Sequence, residues 1–180
     1  MNIFNGKKEV NIEIGEVKEG LVDYSKSIEE LTIYYDEQLE LIKQGTNELA
    51  TLELMMLGYG IDFIEWIKEV FKIELTLGED SLSEFDTVLE DIYQMYIKNG
   101  LREEVLNDLL KKCSGYFGLV ILSNYKGNWA DSNLGPAIQV NGVNAFVYNC
   151  IGRRMQSNED SDIIAFYYAL GESLDKNFLM

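Results

Sequence analysis

Apolar residues recur at helical spacing along the first part of the chain. Ser27 and Glu30 form an S-x-x-E capping box, which is typical of a helix start. The apolar stripe that follows consists of Ile28, Leu31, Tyr35, Leu39 and Ile42. Gly45 then suits the left-handed position that commonly ends a helix. Ser81 and Glu84 repeat the capping box and predict another helix start.

Two further helices are predicted, over 48–60 and 63–75, and Thr46 or Asn47 would cap the first of them. Gly58 and Gly60 predict a break or kink between them, because glycine is unfavourable inside a helix. Asp62 would then cap the second of these helices, since an aspartate side chain can accept hydrogen bonds from the first backbone N–H groups.

The last helix of this part, predicted over 101–125, changes character along its length. Residues 115–122 are apolar or glycine on all sides, which is typical of an element buried on every side. Gly115 and Gly118 fall on the same helical face, and each costs about 1 kcal/mol in helix propensity. We therefore expect another backbone to approach them closely. A central strand over 116–122 is the alternative, because short apolar runs are ambiguous.

A period of two replaces the helical period in residues 128–148. Asn141 and Gly142 suit a type I′ turn, whose two central residues both need positive φ. This turn pairs Val140 with Val143 and extends the second strand as far as Tyr148. A short strand around Trp129 precedes the hairpin. Structural roles are therefore predicted for Gly115, Gly118, Trp129, Asn141 and Gly142.

The elements together predict a single α+β domain over residues 1–180. Its helical layer, residues 27–125, contains about five helices and packs on the small antiparallel sheet of 128–148. A C-terminal helix is predicted over 158–172. Alternating apolar residues also predict a strand in the N-terminal region, 1–20.

The charge distribution changes the functional picture more than the total of −16 does. The first hundred residues hold 22 acidic and 8 basic side chains. Such a surface repels phosphate backbones, which argues against nucleic acid, and it attracts basic proteins. The alternative is that the charge only maintains solubility. The candidate partner-binding residues are Asp36, Glu37, Glu40, Glu84, Glu90 and Asp91.

The absence of histidine excludes Ser-His-Asp and Cys-His catalysis and histidine-dependent metal sites. No glycine-rich nucleotide-binding motif is present, and we expect no cofactor. The acidic run Glu159, Asp160 and Asp162 fits a capped helix start better than a calcium loop. Arg153 and Arg154 could bind an anion or, as we favour, join the sheet to an acidic helix.

The length of the apolar runs and the spacing of the cysteines predict where in the cell the protein acts. No run approaches the ~20 residues of a membrane span, and the N-terminus lacks the apolar run of a signal peptide. Cys113 and Cys150 fit neither a zinc motif nor a CxxC pair. We therefore expect a cytoplasmic protein with reduced thiols that acts away from membranes.

Residues 113–154 resemble a pattern in small uncharacterised bacterial proteins. The matching features are the aromatic pair between Gly115 and Gly118, the Gly127-x-Trp129 motif, and the hairpin from Ile138 to Val147. Some of these proteins resemble immunity proteins of bacterial toxin systems. The resemblance implies a small, acidic, non-enzymatic inhibitor of a basic toxin. The alternatives are a structural or regulatory homodimer and a carboxylate-based enzyme.

Overall fold

A computed structural model describes residues 22–45, 51–156 and 162–177. Within these residues six α-helices pack with a three-stranded antiparallel sheet, so the predicted α+β fold with a C-terminal helix is confirmed. The helices are α1 (Ile28–Lys43), α2 (Leu52–Phe71), α3 (Leu82–Asn99), α4 (Glu103–Asn124), α5 (Val147–Gln156) and α6 (Ile163–Asn177). The strands are β1 (Asn128–Ala130), β2 (Ala137–Val140) and β3 (Val143–Ala145). The predicted N-terminal strand region, 1–20, lies outside the described residues.

α4 lies at the centre of the core. The helix runs without a break from Glu103 to Asn124, which confirms the predicted helix and excludes the alternative strand over 116–122. Every side chain or glycine from Cys113 to Leu122 is buried. A Cβ added to Gly115 would lie 2.6 Å from the backbone nitrogen of Gly60 and 2.7 Å from the carbonyl oxygen of Met56. The close backbone approach predicted at Gly115 is therefore confirmed, and the partner is α2.

The same observation explains why the predicted break in α2 is wrong. α2 continues through Gly58 and Gly60 to its end, and Asp62 lies inside it rather than at a cap. Its N-cap is Thr51, which corrects the prediction that Thr46 or Asn47 caps this helix. The two glycines serve packing: the ring of Tyr35 on α1 lies over Gly58, and α4 lies against Gly60.

Gly118 meets a different neighbour from the one expected. A Cβ at this position would overlap the six-membered ring of Trp129 on β1, and no backbone atom is among its nearest contacts. The indole is fully buried between the sheet and α4. Because Gly118 has no Cβ, the Trp129 indole packs directly on the backbone of α4, and the helix lies close to the sheet.

The hairpin has the predicted turn and register over its first residues. Asn141 and Gly142 have φ values of 48° and 79°, as a type I′ turn requires. Val140 pairs with Val143, and Ile138 pairs with Ala145. β1 adds to the other edge of β2, which gives the strand order β1-β2-β3.

The predicted extension of the hairpin to Tyr148 is wrong, because α5 begins at Val147. The Cys150 N–H donates to the carbonyl oxygen of Phe146 at 3.0 Å, which is a helical bond. Val147, Ile151 and Met155 lie on the buried side of α5, at a spacing of four residues. This helix was missed because Asn144, Phe146 and Tyr148 continue the alternation of the strand.

The predicted capping box at Ser81 is also wrong. Ser81 has helical backbone angles and ends a 3-10 turn, Glu79–Ser81, that leads into α3. Its Oγ accepts a hydrogen bond from the Thr76 N–H at 2.7 Å instead. The Tyr116 hydroxyl donates to the Thr76 carbonyl oxygen at 2.8 Å, which joins this loop to α4.

Candidate functional site

α1 is the helix that the core covers least. Leu31 is the only fully buried side chain among its sixteen residues, all of which the structure describes. The Ser27 hydroxyl accepts from the Glu30 N–H, and the Glu30 carboxylate accepts from the Ser27 N–H at 3.0 Å, so the predicted capping box is confirmed. The helix is thus well defined at its start although most of its surface faces solvent.

The exposed side of α1 surrounds one apolar side chain with carboxylates. Ile33 is 59% exposed. At 3.6 residues per turn, five carboxylates lie within about 60° of it around the helix axis. We call this surface the α1 acidic face; it consists of Glu29, Glu30, Ile33, Asp36, Glu37 and Glu40.

Among the residues that the structure describes, two ammonium groups form ion pairs with this face. Lys26 lies 3.6 Å from Glu30, and Lys43 lies 3.4 Å from Glu40. Both pairs are well exposed, so they contribute little stability and leave the ammonium groups able to exchange partners. Asp36 and Glu37 form no ion pair with any residue that the structure describes.

The carboxylates of this face that are hydrogen-bonded are held in their charged form. The Ser27 backbone N–H, and after it Lys26, lowers the pKa of Glu30. The side chain of Gln44, and after it Lys43, lowers the pKa of Glu40. Both carboxylates are therefore ionised at neutral pH, where a basic partner would meet them.

A shallow groove of about 280 Å³ runs along one side of the α1 acidic face. Two of its lining residues, Asp23 and Lys26, belong to the turn before α1. The other lining residues are Glu30, Leu31, Ile33, Tyr34 and Glu37. The lining therefore combines apolar side chains with three carboxylates and one ammonium group, and we call these charged groups the acidic rim.

The acidic residues of α3 are arranged differently. Arg154 of α5 donates from Nε to Asp86 and from Nη1 to Glu90, each at 2.9 Å. Gln94 donates to the other oxygen of Glu90 at 2.8 Å and is the main cause of the lowered pKa of Glu90, followed by Arg154. Glu90 is thus engaged within the protein.

Of the other α3 candidates, Glu84 and Asp91 are exposed. Arg154 joins α5 to an acidic helix, which favours the structural alternative for this residue over anion binding. The predicted link started from the sheet, whereas Arg154 lies in helix α5. Arg153 lies on the exposed side of α5.

The two cysteines and Asp162 have structural roles. Burial raises the pKa of the Cys150 thiol to about 12 and raises that of Cys113 further, so both thiols are poor nucleophiles at neutral pH. Asp162 caps α6, because its Oδ1 accepts from the backbone N–H groups of Ile164 and Ala165. Glu159 and Asp160 lie outside the described residues.

Over 22–45, 51–156 and 162–177, no group of three or more acidic or cysteine side chains is placed to hold a metal ion. In the same ranges, no helix has the length and apolar character needed to cross a membrane. Neither the exposure of Ile33 nor the groove was predicted from the sequence. The signal was present, since Ile33 lies off the stripe of Leu31 and Tyr35 and therefore on the polar side of α1.

Comparisons with protein-family models, with curated proteins and with solved structures gave no match. The resemblance of residues 113–154 to small bacterial proteins therefore stays a prediction.

Proposed function

We propose that the protein is a non-enzymatic binding protein that docks a basic partner protein on the α1 acidic face. The observation that carries this proposal is the exposed Ile33 at the centre of five carboxylates. Interfaces commonly have an apolar centre and a polar rim. A surface that served only solubility would need the carboxylates but not the isoleucine.

The α1 acidic face is better suited to this role than the α3 candidates. Asp36 and Glu37 form no ion pair among the described residues, whereas Glu90 bonds Arg154 and Gln94. A partner at Glu90 would have to compete with hydrogen bonds that are already formed. We therefore leave Glu90 out of the proposed docking face and keep Glu84 and Asp91 as the comparison surface.

The class of partner follows from charge and from the resemblance. A net charge of −16 accelerates encounters with basic proteins and opposes binding to nucleic acid. The resemblance to immunity proteins favours a basic bacterial toxin as the partner. The proposed location is the cytoplasm, where the buried thiols of Cys113 and Cys150 would stay reduced.

The experiment is affinity capture of the tagged protein in its native host, followed by reconstitution of the complex from purified components. We expect a basic protein at near-equal stoichiometry. Its association rate should fall steeply between about 0.05 and 0.3 M salt, because the Debye length shortens across this range. If the partner is a toxin, co-expression should also relieve its inhibition of growth.

A captured partner that is acidic, or whose association rate does not change with salt, would contradict the proposal. A stable homodimer that binds nothing else would favour the structural or regulatory alternative. Turnover of a small substrate by the isolated protein would favour the enzyme.

A further inference from the structure

We propose that the groove beside α1 seats a cationic amphipathic helix of the partner, with an apolar side chain against Ile33 and basic side chains at the acidic rim. This inference rests on the proposed function and specifies the segment that is recognised. Helix-in-groove recognition of this kind uses apolar anchors at helical spacing. The lining of the groove has the corresponding arrangement.

The geometry of the groove matches an anchor that lies along α1. Glu30, Ile33, Tyr34 and Glu37 follow the spacing i, i+3, i+4 and i+7, which places them on one side of the helix. Ile33 and Tyr34 are neighbours in the middle of this series, and a carboxylate stands at each end. A partner helix along this line would meet apolar surface at its centre and negative charge on both sides.

Charge specifies the occupant further. Three carboxylates, those of Asp23, Glu30 and Glu37, face one ammonium group, that of Lys26. The Asp23 carboxylate accepts from the Ser25 hydroxyl at 2.6 Å, which holds it in the turn beside the groove. A helix carrying Lys or Arg beside its apolar stripe complements this rim, whereas an acidic or purely apolar helix does not.

The size of the groove shows that the occupant must extend beyond a single side chain. A volume of about 280 Å³ accommodates only one or two side chains. A stable interface buries about 800 Å² on each partner, so the segment must also extend over the rest of the α1 acidic face. The groove would then position the helix, and Asp36 and Glu40 would lie under its continuation.

The experiment uses synthetic peptides as probes. One is a helical peptide of lysine and leucine at amphipathic spacing, and the other has the same lysines with glutamine in place of leucine. Binding to the full chain is measured by fluorescence anisotropy at about 0.15 M salt, where exposed charges act over about 8 Å. We expect the lysine–leucine peptide to bind at least about tenfold more tightly, because an apolar side chain is buried.

Matched variants locate the site. Ile33→Ala should weaken binding of the lysine–leucine peptide about tenfold. Its control is Ile97→Ala on α3, because Ile97 is 55% exposed and thus almost as exposed as Ile33. Glu37→Lys should also weaken binding, with Asp91→Lys on α3 as its control. Both control variants should bind within about twofold of the parent.

Three results would overturn the inference: no binding of the lysine–leucine peptide, equal binding of both peptides, or equal effects of Ile33→Ala and Ile97→Ala. A homodimer that dissociates on Ile33→Ala and excludes the peptide would assign the groove to a second copy instead. The outcome is separable from the proposed function. Suppose that binding of a native partner is weakened by charge reversal on α1 but not by Ile33→Ala. This result would support docking on the α1 acidic face and contradict binding of a helix in the groove.

Discussion

The contact between Gly115 and α2 predicts that a single methyl group there destabilises the protein. In Gly115→Ala the new Cβ would lie 2.6 Å from the Gly60 nitrogen and 2.7 Å from the Met56 carbonyl oxygen. Both atoms belong to a helix backbone and cannot rotate away as a side chain does. α2 and α4 would have to separate by nearly 1 Å, and such a gap forfeits a quarter to a half of the dispersion attraction at each affected contact.

The magnitude combines two opposing effects. Overpacking a core costs about 1–3 kcal/mol, and the rigid backbone contact places Gly115→Ala near the upper end. Replacing glycine by alanine inside a helix stabilises the helix by about 1 kcal/mol. We therefore expect a net loss of about 2 kcal/mol, which lowers the melting temperature by about 4–8 °C in a chain of this size.

Gly152→Ala is the matched control. Gly152 lies inside α5, and the nearest atoms to an added Cβ are the Leu110 methyl carbons at 3.7 and 3.8 Å, an ordinary contact. The propensity gain should appear here without overpacking, so the melting temperature should rise by about 2–4 °C. Thermal unfolding followed by circular dichroism measures both variants. If Gly115→Ala were stabilised as Gly152→Ala is, the proposed contact between the two backbones would be refuted.

Three other predictions concern the core and its ion pairs. Gly118→Val should destabilise more than Gly115→Ala, and Trp129→Phe in the same chain should partly restore the melting temperature by making room. Arg154→Met should lower stability most at neutral pH. After Gln94, Arg154 is the second cause of the lowered folded-state pKa of Glu90. The part of the stability that the ion pair contributes is therefore lost as the pH falls, and the difference from the parent should shrink below about pH 4; a constant difference would argue against the pair. Thiol titration at pH 8 should detect no reaction of Cys150 in the native protein and reaction of both cysteines after unfolding, whereas rapid native reaction would contradict their burial.

Local signals predicted the elements whose ends are set by nearby residues. The capping box at Ser27 and the Asn141-Gly142 turn form in the structure as the sequence predicts, because their hydrogen bonds and backbone angles involve only neighbours along the chain. The all-apolar run 115–122 was correctly expected to be a buried helix. These features are decided by spacing and by residue type.

Contacts between distant segments decided the places where the sequence misled. Gly58 and Gly60 are indistinguishable in sequence from helix breakers, and only Tyr35 and α4 explain why α2 continues through them. Ser81 and Glu84 have the spacing of a capping box, but the Ser81 hydroxyl accepts a hydrogen bond from the Thr76 N–H instead. Within the candidate site, the acidity of α1 and α3 was equally visible in the sequence. The pairing of Glu90 with Arg154 depends on how α5 packs, which no local pattern contains.

The central claim is that α1, and not α3, receives a basic partner. Its most direct test compares two double charge reversals: Asp36→Lys with Glu37→Lys on α1, and Glu84→Lys with Asp91→Lys on α3. Each pair changes the net charge equally and alters exposed side chains, so both proteins should fold as the parent does. The measurement is the association rate of the purified partner at about 0.15 M salt. We expect the α1 reversal to slow association about tenfold or more and the α3 reversal to change it less than about threefold. Equal slowing by both reversals, or greater slowing by the α3 pair, would contradict docking on α1.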